Sequence, residues 1–484
     1  MIEWGISANS HDAAIAVFKD KELVFASHSE RFSGIKNDRD LCTELVEYAE
    51  QWGKPNHIYW YENPYLKTIR QLIAGQGWKW SANNIKDYLK QWNINASITY
   101  TNHHLSHAAA GFYTSPYSEA CVVVVDAIGE FDTLTIWHAK DNTLKKVYSQ
   151  RYPHSIGLWY SAMTQRVGLK PNEDEYILMG MAAYGDDRYA DRIYTDFVKD
   201  ENYTFSQNLH RGCLDWAPDL TITDSFDIAA GTQDVYETLF LSVINQASKL
   251  VDSKNLVLMG GCALNCHANR LIGRYFENIW IMPNPGDAGS AVGAVLAHYK
   301  KHIPFDHAFL GYDIASQSSN REIVDYLLEH NICGLARGRA EYGPRALGNR
   351  SLLADPRGTD IKDKVNAIKH RQEFRPFAPA ILEEYVNDYF DMPNNWTTSR
   401  FMQTTAKCKY PVRFPAIVHR DGTSRVQTVP RDGSPFRQLL ELWYEQTGCP
   451  MLLNTSLNIK GQPMVNNLGD ARAFESHYGV KVFN

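Results

Sequence analysis

The stretch 121-CVVVVDAIGEFDTLTIWHAKDNTLKKVYS-149 decides the fold. Its apolar run Cys121–Val125 stops at Asp126, and a small polar loop runs to Asp132. Apolar residues resume over Thr133–His138, turn at Asp141–Asn142 and return over Leu144–Ser149. Short β-branched runs bounded by turn residues predict a strand, a loop and a hairpin. The same grammar occurs at the amino end, with strand Glu3–Ala8, loop Asn9–Asp12, strand Ala14–Phe18, a Lys-Asp-Lys turn and strand Leu23–Ser27. Two copies make an internal structural repeat.

A strand that ends in a small or acidic loop and returns as a hairpin lets two such loops face each other across a cleft and hold nucleotide phosphates with their metal. This is the duplicated α/β layout of actin-like ATPases and sugar kinases. Further on, Asn255–Met259 runs into Gly260 and Gly261 and then a helix. Ile279–Met282 runs into Pro-Asn-Pro-Gly-Asp before a small-residue helix, Ala288–Tyr299. Glycines there allow close backbone approach to a nucleotide, and a helix N-terminus adds N–H donors; ordinary sheet-end loops would look the same. After Lys301 the pattern weakens, and a new amphipathic helix starts near Asn320. The expected domains are therefore 1–306 and 307–484.

At 484 residues the chain is too long for one ordinary core. Hydrophobic residues at 44% and charged residues at 21% are the balance of a folded soluble protein, not of a disordered or membrane chain. The apolar run Cys121–Val125 is short before Asp126 interrupts it and the start reads as no signal peptide, so the expected location is cytoplasmic, with no membrane partner. Eight cysteines without a CxxC pair read as reduced, small and buried; Cys262 and Cys266, four apart beside glycines, fit reduced thiols better than a disulfide frame or a zinc site. A net charge of −6 argues against a generally basic nucleic-acid surface. Locally the balance reverses: residues 331–380 carry ten Lys and Arg against five Asp and Glu, a stretch expected to hold an anion.

Two constellations carry chemistry. In Thr101-Asn-His-His-Leu-Ser-His, a capping residue opens a helix on which His103 and His107 lie four apart, so both imidazoles leave the same face. Asp126 and Asp287, each at a strand end, are candidates to complete a metal site, and imidazole with carboxylate suits iron, manganese or zinc. In Glu341-Tyr-Gly-Pro-Arg-Ala-Leu-Gly-Asn-Arg-Ser and Lys369-His-Arg-Gln-Glu-Phe-Arg-Pro, arginines are framed by Gly and Pro on fixed turns, where guanidinium forks can engage phosphate oxygens. Arg425 and the turn at Asn454–Asn458 could extend that site, or serve as ordinary turn residues.

The motifs HHLSHAAAGFY, GGCALNCHAN, PNPGDAGSAVGA, EYGPRALGNRSLLADPR, FRPFAPAIL, DGTSRVQTV and MLLNTSLN resemble the nodulation, cephalosporin and tobramycin O-carbamoyltransferase family, nearly end to end. The resemblance implies an actin-like N-terminal domain similar to the threonylcarbamoyl-transferring tRNA enzymes. It also implies an α+β C-terminal domain like YrdC, the threonylcarbamoyl-adenylate synthase. His103, His107, Asp126 and Asp287 match the family's metal ligands, generally iron. Gly260, Gly261 and Asn265 match its nucleotide loop, and Arg345, Lys369, Arg375, Arg425 and Ser456 its carbamoyl phosphate site. The implied chemistry needs ATP with Mg2+ and carbamoyl phosphate. Carbamate released from carbamoyl phosphate attacks the α-phosphorus of ATP, pyrophosphate leaves, and the carbamoyl adenylate then passes its carbamoyl group to an acceptor hydroxyl. His11 and Asp12, where the family pattern also has His-Asp, are nominated as the base.

Three positions depart from the family pattern: Ile177 replaces a usual Lys, Gly34 a usual Arg, and Ala127 a common Gly. The first two bear on the acceptor, which the residues leave open between a small molecule, a sugar and a hydroxymethylated nucleobase in DNA. A DNA acceptor would make binding weaken steeply with salt. Trp78, Trp80, Tyr88 and Trp92 are either an aromatic acceptor platform or core. Self-association into a homo-oligomer is left open. A plain ATPase or kinase would explain the repeat but give the arginine motifs no task; a tRNA-modifying enzyme should show a basic face.

Overall fold

The computed structural model describes residues 1–200, 203–375 and 377–484. The chain forms two compact units. One comprises Met1–Ser33, Asn37–Ala268 and Ile272–Asp306; the other comprises Gly34–Lys36, Asn269–Leu271 and His307–Asn484.

The first unit is a mixed α/β structure built twice. Strands β1 (Ile2–Ser7), β2 (Ala14–Lys19), β3 (Glu22–His28), β4 (His57–Trp60) and β5 (Ser97–Tyr100) form a sheet in the order β3-β2-β1-β4-β5. Strands β6 (Glu119–Gly129), β7 (Asp132–Lys140), β8 (Thr143–Arg151), β9 (Asn255–Met259) and β10 (Asn278–Trp280) form a second, in the order β10-β9-β6-β7-β8. Each sheet is an antiparallel hairpin triplet continued by parallel strands, so the repeat read from the sequence extends to two further strands per copy. Of the parallel strands, β9 stands where the sequence placed it and β10 overlaps the run Ile279–Met282, whereas β4 and β5, four residues each, were too short to show a pattern of their own.

After β5 comes the helix His103–Thr114, and after β10 the helix Ser290–Tyr299; the two are equivalent in the repeat. Both are almost wholly buried, and they lie against each other. A side chain at Gly293 would put its Cβ 1.8 Å from the Ser106 carbonyl oxygen, so a glycine is what lets the backbones approach this closely.

In the second unit, a six-stranded sheet runs in the order 427–429, 378–382, 451–456, 350–354, 332–336 and 482–483. Its two faces carry separate apolar clusters, one including Phe414 and Met451, the other Trp443 and Leu439. Its registers decide the site described below. Ser351 opposes Ser456, Ala378 opposes Asn454, and Ala380 lies beside Gln427 in a parallel pair. The starts of three strands and the end of the fourth therefore share one edge of the sheet.

All eight cysteines are free, six of them buried. No helix among the described residues is long and apolar enough to cross a membrane. Tyr88 and Trp92 belong to the core of the first sheet, and the Tyr88 hydroxyl accepts the Leu41 N–H at 2.9 Å. Trp80 stacks on Tyr65 at the surface, and Trp78 is 63% exposed. The four aromatics therefore do not form one platform.

Candidate functional site

Four side chains converge in the first unit. His103 and His107 come from the helix after β5, Asp126 from the end of β6, and Asp287 from the turn Asp287–Gly289 that leads into the equivalent helix after β10. The two helices thus each contribute at their N-terminal ends, while only the second strand loop contributes a carboxylate. In the first copy β1 pairing ends at Ser7, so the position matching Asp126 is Ala8. The donor atoms all lie within 4.8 Å of one another and all four residues are buried.

His103 Nε2 stands 3.1 Å from His107 Nε2, 3.1 Å from Asp126 Oδ2 and 3.4 Å from Asp287 Oδ1. His107 Nε2 stands 3.3 Å from Asp287 Oδ1. Two imidazole nitrogens and two carboxylates facing one point demand a positive charge there. Burial works against an imidazolium, yet Asp287 and Asp126 outweigh it and raise His103 well above the ordinary 6.5. Burial likewise favours protonated carboxyls, but the imidazoles hold both Asp126 and Asp287 below the usual range. Asp287 Oδ1 is buried without a hydrogen-bond partner among the described residues. Such a donor set fits a divalent transition metal held by His103, His107, Asp126 and Asp287. His104 turns away to the Thr135 hydroxyl, 2.9 Å from Nδ1.

The loops around this cluster are tied to it. Asp126 Oδ1 accepts the Gly261 N–H at 3.0 Å, joining the cluster to the glycine loop. Gly260 sits at φ +91°, and a Cβ there would lie 2.2 Å from the Val125 carbonyl oxygen, so the position requires glycine. Asn265 is committed elsewhere: its amide pairs reciprocally with Gln233 at 3.0 and 3.2 Å, and its Oδ1 accepts the Ala268 N–H. In the first loop, His11 Nδ1 is 3.5 Å from Asp12 Oδ2, with the imidazole almost half exposed. Asp12 takes a left-handed φ of +63°. Burial opposes a proton on His11, but Asp12, Asp287 and Asp126 raise it to about 10.

The structure corrects the helix start. Thr101 does not cap it; its hydroxyl lies 3.3 Å from the Ala294 carbonyl and 3.1 Å from His298 Nε2. Asn102 is the N-cap residue and its side chain makes no capping bond. The free N–H of His103 is taken by Glu130, from the turn after β6. Sequence reasoning passed over Glu130, although it ends the loop Asp126-Ala-Ile-Gly-Glu. Of the departing positions, Ile177 is core and Gly34 sits at φ +73° with open space around it. The Ala127 carbonyl accepts the Ser155 hydroxyl at 2.7 Å.

In the second unit the sheet registers gather the expected residues. Arg345 precedes the strand 350–354, Arg375 the strand 378–382 and Arg425 the strand 427–429, while Ser456 ends the strand 451–456, all on the shared edge. Lys369 reaches that edge from the helix Ile361–Lys369, its Nζ 2.5 Å from the Ser456 carbonyl, 3.2 Å from Ser456 Oγ, and 2.9 Å from both the Asn458 carbonyl and Oδ1. Burial and then Arg371 and Arg375 push its pKa well down. Arg425 Nε is a buried donor without a partner among the described residues. The loop bearing Arg345 is held by Glu341, whose Oε1 accepts the N–H groups of Leu347, Asn349 and Arg350 at 2.8, 2.9 and 3.2 Å. Gln427 and Asn454 grip the same loop through the Leu347 and Ala346 carbonyls. Glu341 was counted in the sequence only as an opposing charge. Pro376, in the motif FRPFAPAIL, lies outside the described residues.

Much of the basic stretch has other work. Arg350 is fully buried and donates to the carbonyls of Tyr312, Arg337, Gly338, Asn349 and Asn466. Arg337 bonds Asn320 and the Pro435 carbonyl, Arg339 the Leu310 and Gly311 carbonyls, and Arg357 pairs with Asp355. For these four, the expectation that the stretch holds an anion fails, because buried carbonyls and Asp355 take their donors.

Comparison with known proteins bears on the whole chain. The family model "Carbamoyltransferase N-terminus" matches residues 54–296, and "Carbamoyltransferase C-terminus" matches residues 324–483. The chain is 32% identical to the uncharacterized protein sll1178 of Synechocystis sp., over 96% of this chain and 93% of that one. It is 26% identical to the 3'-hydroxymethylcephem-O-carbamoyltransferase of Amycolatopsis lactamdurans, over 97% and 95%. Among solved structures, component A of the Acidaminococcus fermentans (R)-2-hydroxyglutaryl-CoA dehydratase matches 62% of this chain and 99% of its own, at 16% identity and a TM-score of 0.37. With both family models matched in order and relatives aligned nearly end to end, the chain belongs to the carbamoyltransferase family and is an enzyme that transfers carbamoyl groups.

Proposed function

We propose that this enzyme is an ATP-dependent O-carbamoyltransferase that makes carbamoyl adenylate from carbamoyl phosphate and ATP·Mg2+ and passes the carbamoyl group to an acceptor hydroxyl. Residues 1–306 form an actin-like transfer domain and residues 307–484 a YrdC-like activation domain. The observation that carries the reading is the buried convergence of His103, His107, Asp126 and Asp287 in a chain of this family. The named relative acts, by its name, on a hydroxymethyl oxygen, which supports a hydroxyl acceptor here.

In the second unit, Arg345, Arg375 and Arg425 bind the phosphate oxygens of carbamoyl phosphate. Ser456 supplies a hydroxyl, and Lys369 fixes the turn that presents it. Water hydrolyses carbamoyl phosphate to carbamate and inorganic phosphate; a carbamate oxygen then bonds to the α-phosphorus of ATP as the bond to pyrophosphate breaks. In the first unit, Gly260 and Gly261 let the adenylate approach the backbone, and His11 Nε2 accepts the proton of the attacking hydroxyl while Asp12 orients the ring. The acceptor oxygen bonds to the carbamoyl carbon, and AMP leaves. The cation, iron by family resemblance with manganese or zinc suited to the same donors, would supply charge neutralisation at the adenylate. It would also answer the carboxylate charge that otherwise loads His11 with a proton.

The test is mass spectrometry of the purified protein with ATP, carbamoyl phosphate and ferrous iron, without acceptor. Carbamoyl adenylate and pyrophosphate should both form, and Arg345→Ala should abolish them. ADP and phosphate as the sole products, unchanged in Arg345→Ala and Lys369→Ala, would replace the reading with a kinase or ATPase.

A further inference from the structure

The helix that carries His103 and His107 begins without a side-chain cap of its own. Four N–H groups at a helix start need acceptors, and leaving a buried one unmet costs about 1–3 kcal/mol. The acceptor here comes from another element. Glu130, 7% exposed, turns its carboxylate onto the His103 N–H, with both oxygens 3.1 Å away, and Oε1 also accepts the Asn63 N–H at 2.6 Å. Asn63 in turn is the N-cap of the helix Pro64–Ile73, and Arg70 on that helix donates its Nε to the Glu130 carbonyl at 3.0 Å. The preceding residue touches the other side of the same histidine: a Cβ at Gly129 would lie 2.4 Å from His103 Cδ2. Backbone and imidazole of His103 are therefore both set by residues 129–130, three and four positions after Asp126.

We propose that Glu130 is a positioning residue for the metal cluster: it fixes the start of the His103–Thr114 helix so that both imidazoles meet Asp126 and Asp287. This rests on reading the cluster as a metal site. A carboxylate suits the task better than an amide, because both oxygens accept from the His103 N–H while Oε1 also accepts from Asn63 at the other helix start. Glutamine could keep Oε1 on both N–H groups but would set an NH2 donor against the His103 N–H in place of Oε2.

The experiment is a Co2+ titration of the metal-free full-length protein, followed by the visible d–d spectrum, with the thermal midpoint of each variant recorded. Glu130→Ala should raise the Co2+ Kd by about 10- to 100-fold, the usual range for residues that orient ligands, and alter the spectrum. Glu130→Gln should fall between it and wild type. Gly129→Ala, which displaces the His103 ring, should change the spectrum too. Should Glu130→Ala fail to fold, Glu130→Gln and Gly129→Ala decide. Wild-type Kd and spectrum in these variants, beside loss of binding in His103→Ala, would overturn the positioning role even if the thermal midpoint falls. Absence of Co2+ binding in wild type, or unchanged binding in His103→Ala, would instead overturn the metal reading itself.

Discussion

Drawn from three separate stretches of the chain, His103, His107, Asp126 and Asp287 keep their donor atoms pointed at one another, buried within 4.8 Å. Between 337 and 357 four of the five arginines, Arg337, Arg339, Arg350 and Arg357, stand close together in sequence but give their donors to surrounding backbone carbonyls, the Asn320 amide oxygen and the Asp355 carboxylate. The arginines are concentrated in sequence, yet it is the dispersed His and Asp set that is concentrated in space. The difference follows from reach and valence. An imidazole on a helix face has a short arm and a direction set by the backbone. A guanidinium has five donors on a long flexible arm, and buried carbonyls capture it readily.

The comparison breaks first at the histidines. His103→Ala should abolish metal binding and lower carbamoyl transfer by on the order of 1,000-fold, as several kcal/mol of charge stabilisation disappear; metal analysis and steady-state turnover check this. If Arg350 is a clamp and not an anion ligand, Arg350→Met should destabilise the folded protein by roughly 3–5 kcal/mol through its orphaned carbonyls, seen in urea unfolding. Arg425, whose buried Nε has no partner among the described residues, should behave oppositely. Arg425→Ala should leave the unfolding midpoint near wild type and lower kcat/KM for carbamoyl phosphate about 10- to 100-fold, the worth of a charge-assisted hydrogen bond.

The smallest effect lies at another structural arginine. Arg437 pairs in bidentate fashion with Glu384 at 2.7 and 2.8 Å, and this hydrogen bonding lowers the glutamate from 4.5 to about 2. A depressed carboxylate contributes stability that is present above 4.5 and lost as pH falls toward 2. Because Glu384 is partly solvated, the contribution should stay under about 1 kcal/mol. The thermal midpoints of wild type and Glu384→Gln should therefore differ slightly at pH 7 and converge between pH 4.5 and 2.

The repeat was legible because strand patterning and turn residues act over a few positions. Strands β1–β3 and β6–β8 stand where the alternation placed them, with ends moved by at most four residues. The four cluster residues were legible in kind: a four-residue spacing on a helix shares a face, and acids at strand ends point toward loops. The helix starts where it was expected, but neither Thr101 nor the N-cap residue Asn102 caps it through its side chain. Thr101 has the chemistry of a cap, but its hydroxyl is drawn to Ala294, far away in sequence, and the vacant acceptor role passes to Glu130.

By itself, then, the sequence determined the local periods, the repeat and the residue types able to hold a cation or an anion, since all of these depend on neighbours along the chain. Tertiary structure alone decided which groups remained for chemistry. It brought Asp126 and Asp287 to the two histidines, and it brought Arg345, Arg375, Arg425 and Ser456 to one sheet edge through strand register. It also assigned Arg350 to five carbonyls. The reason is that a buried polar group must find its partner wherever the fold supplies one, and that partner is set by contacts across the chain that no local pattern encodes.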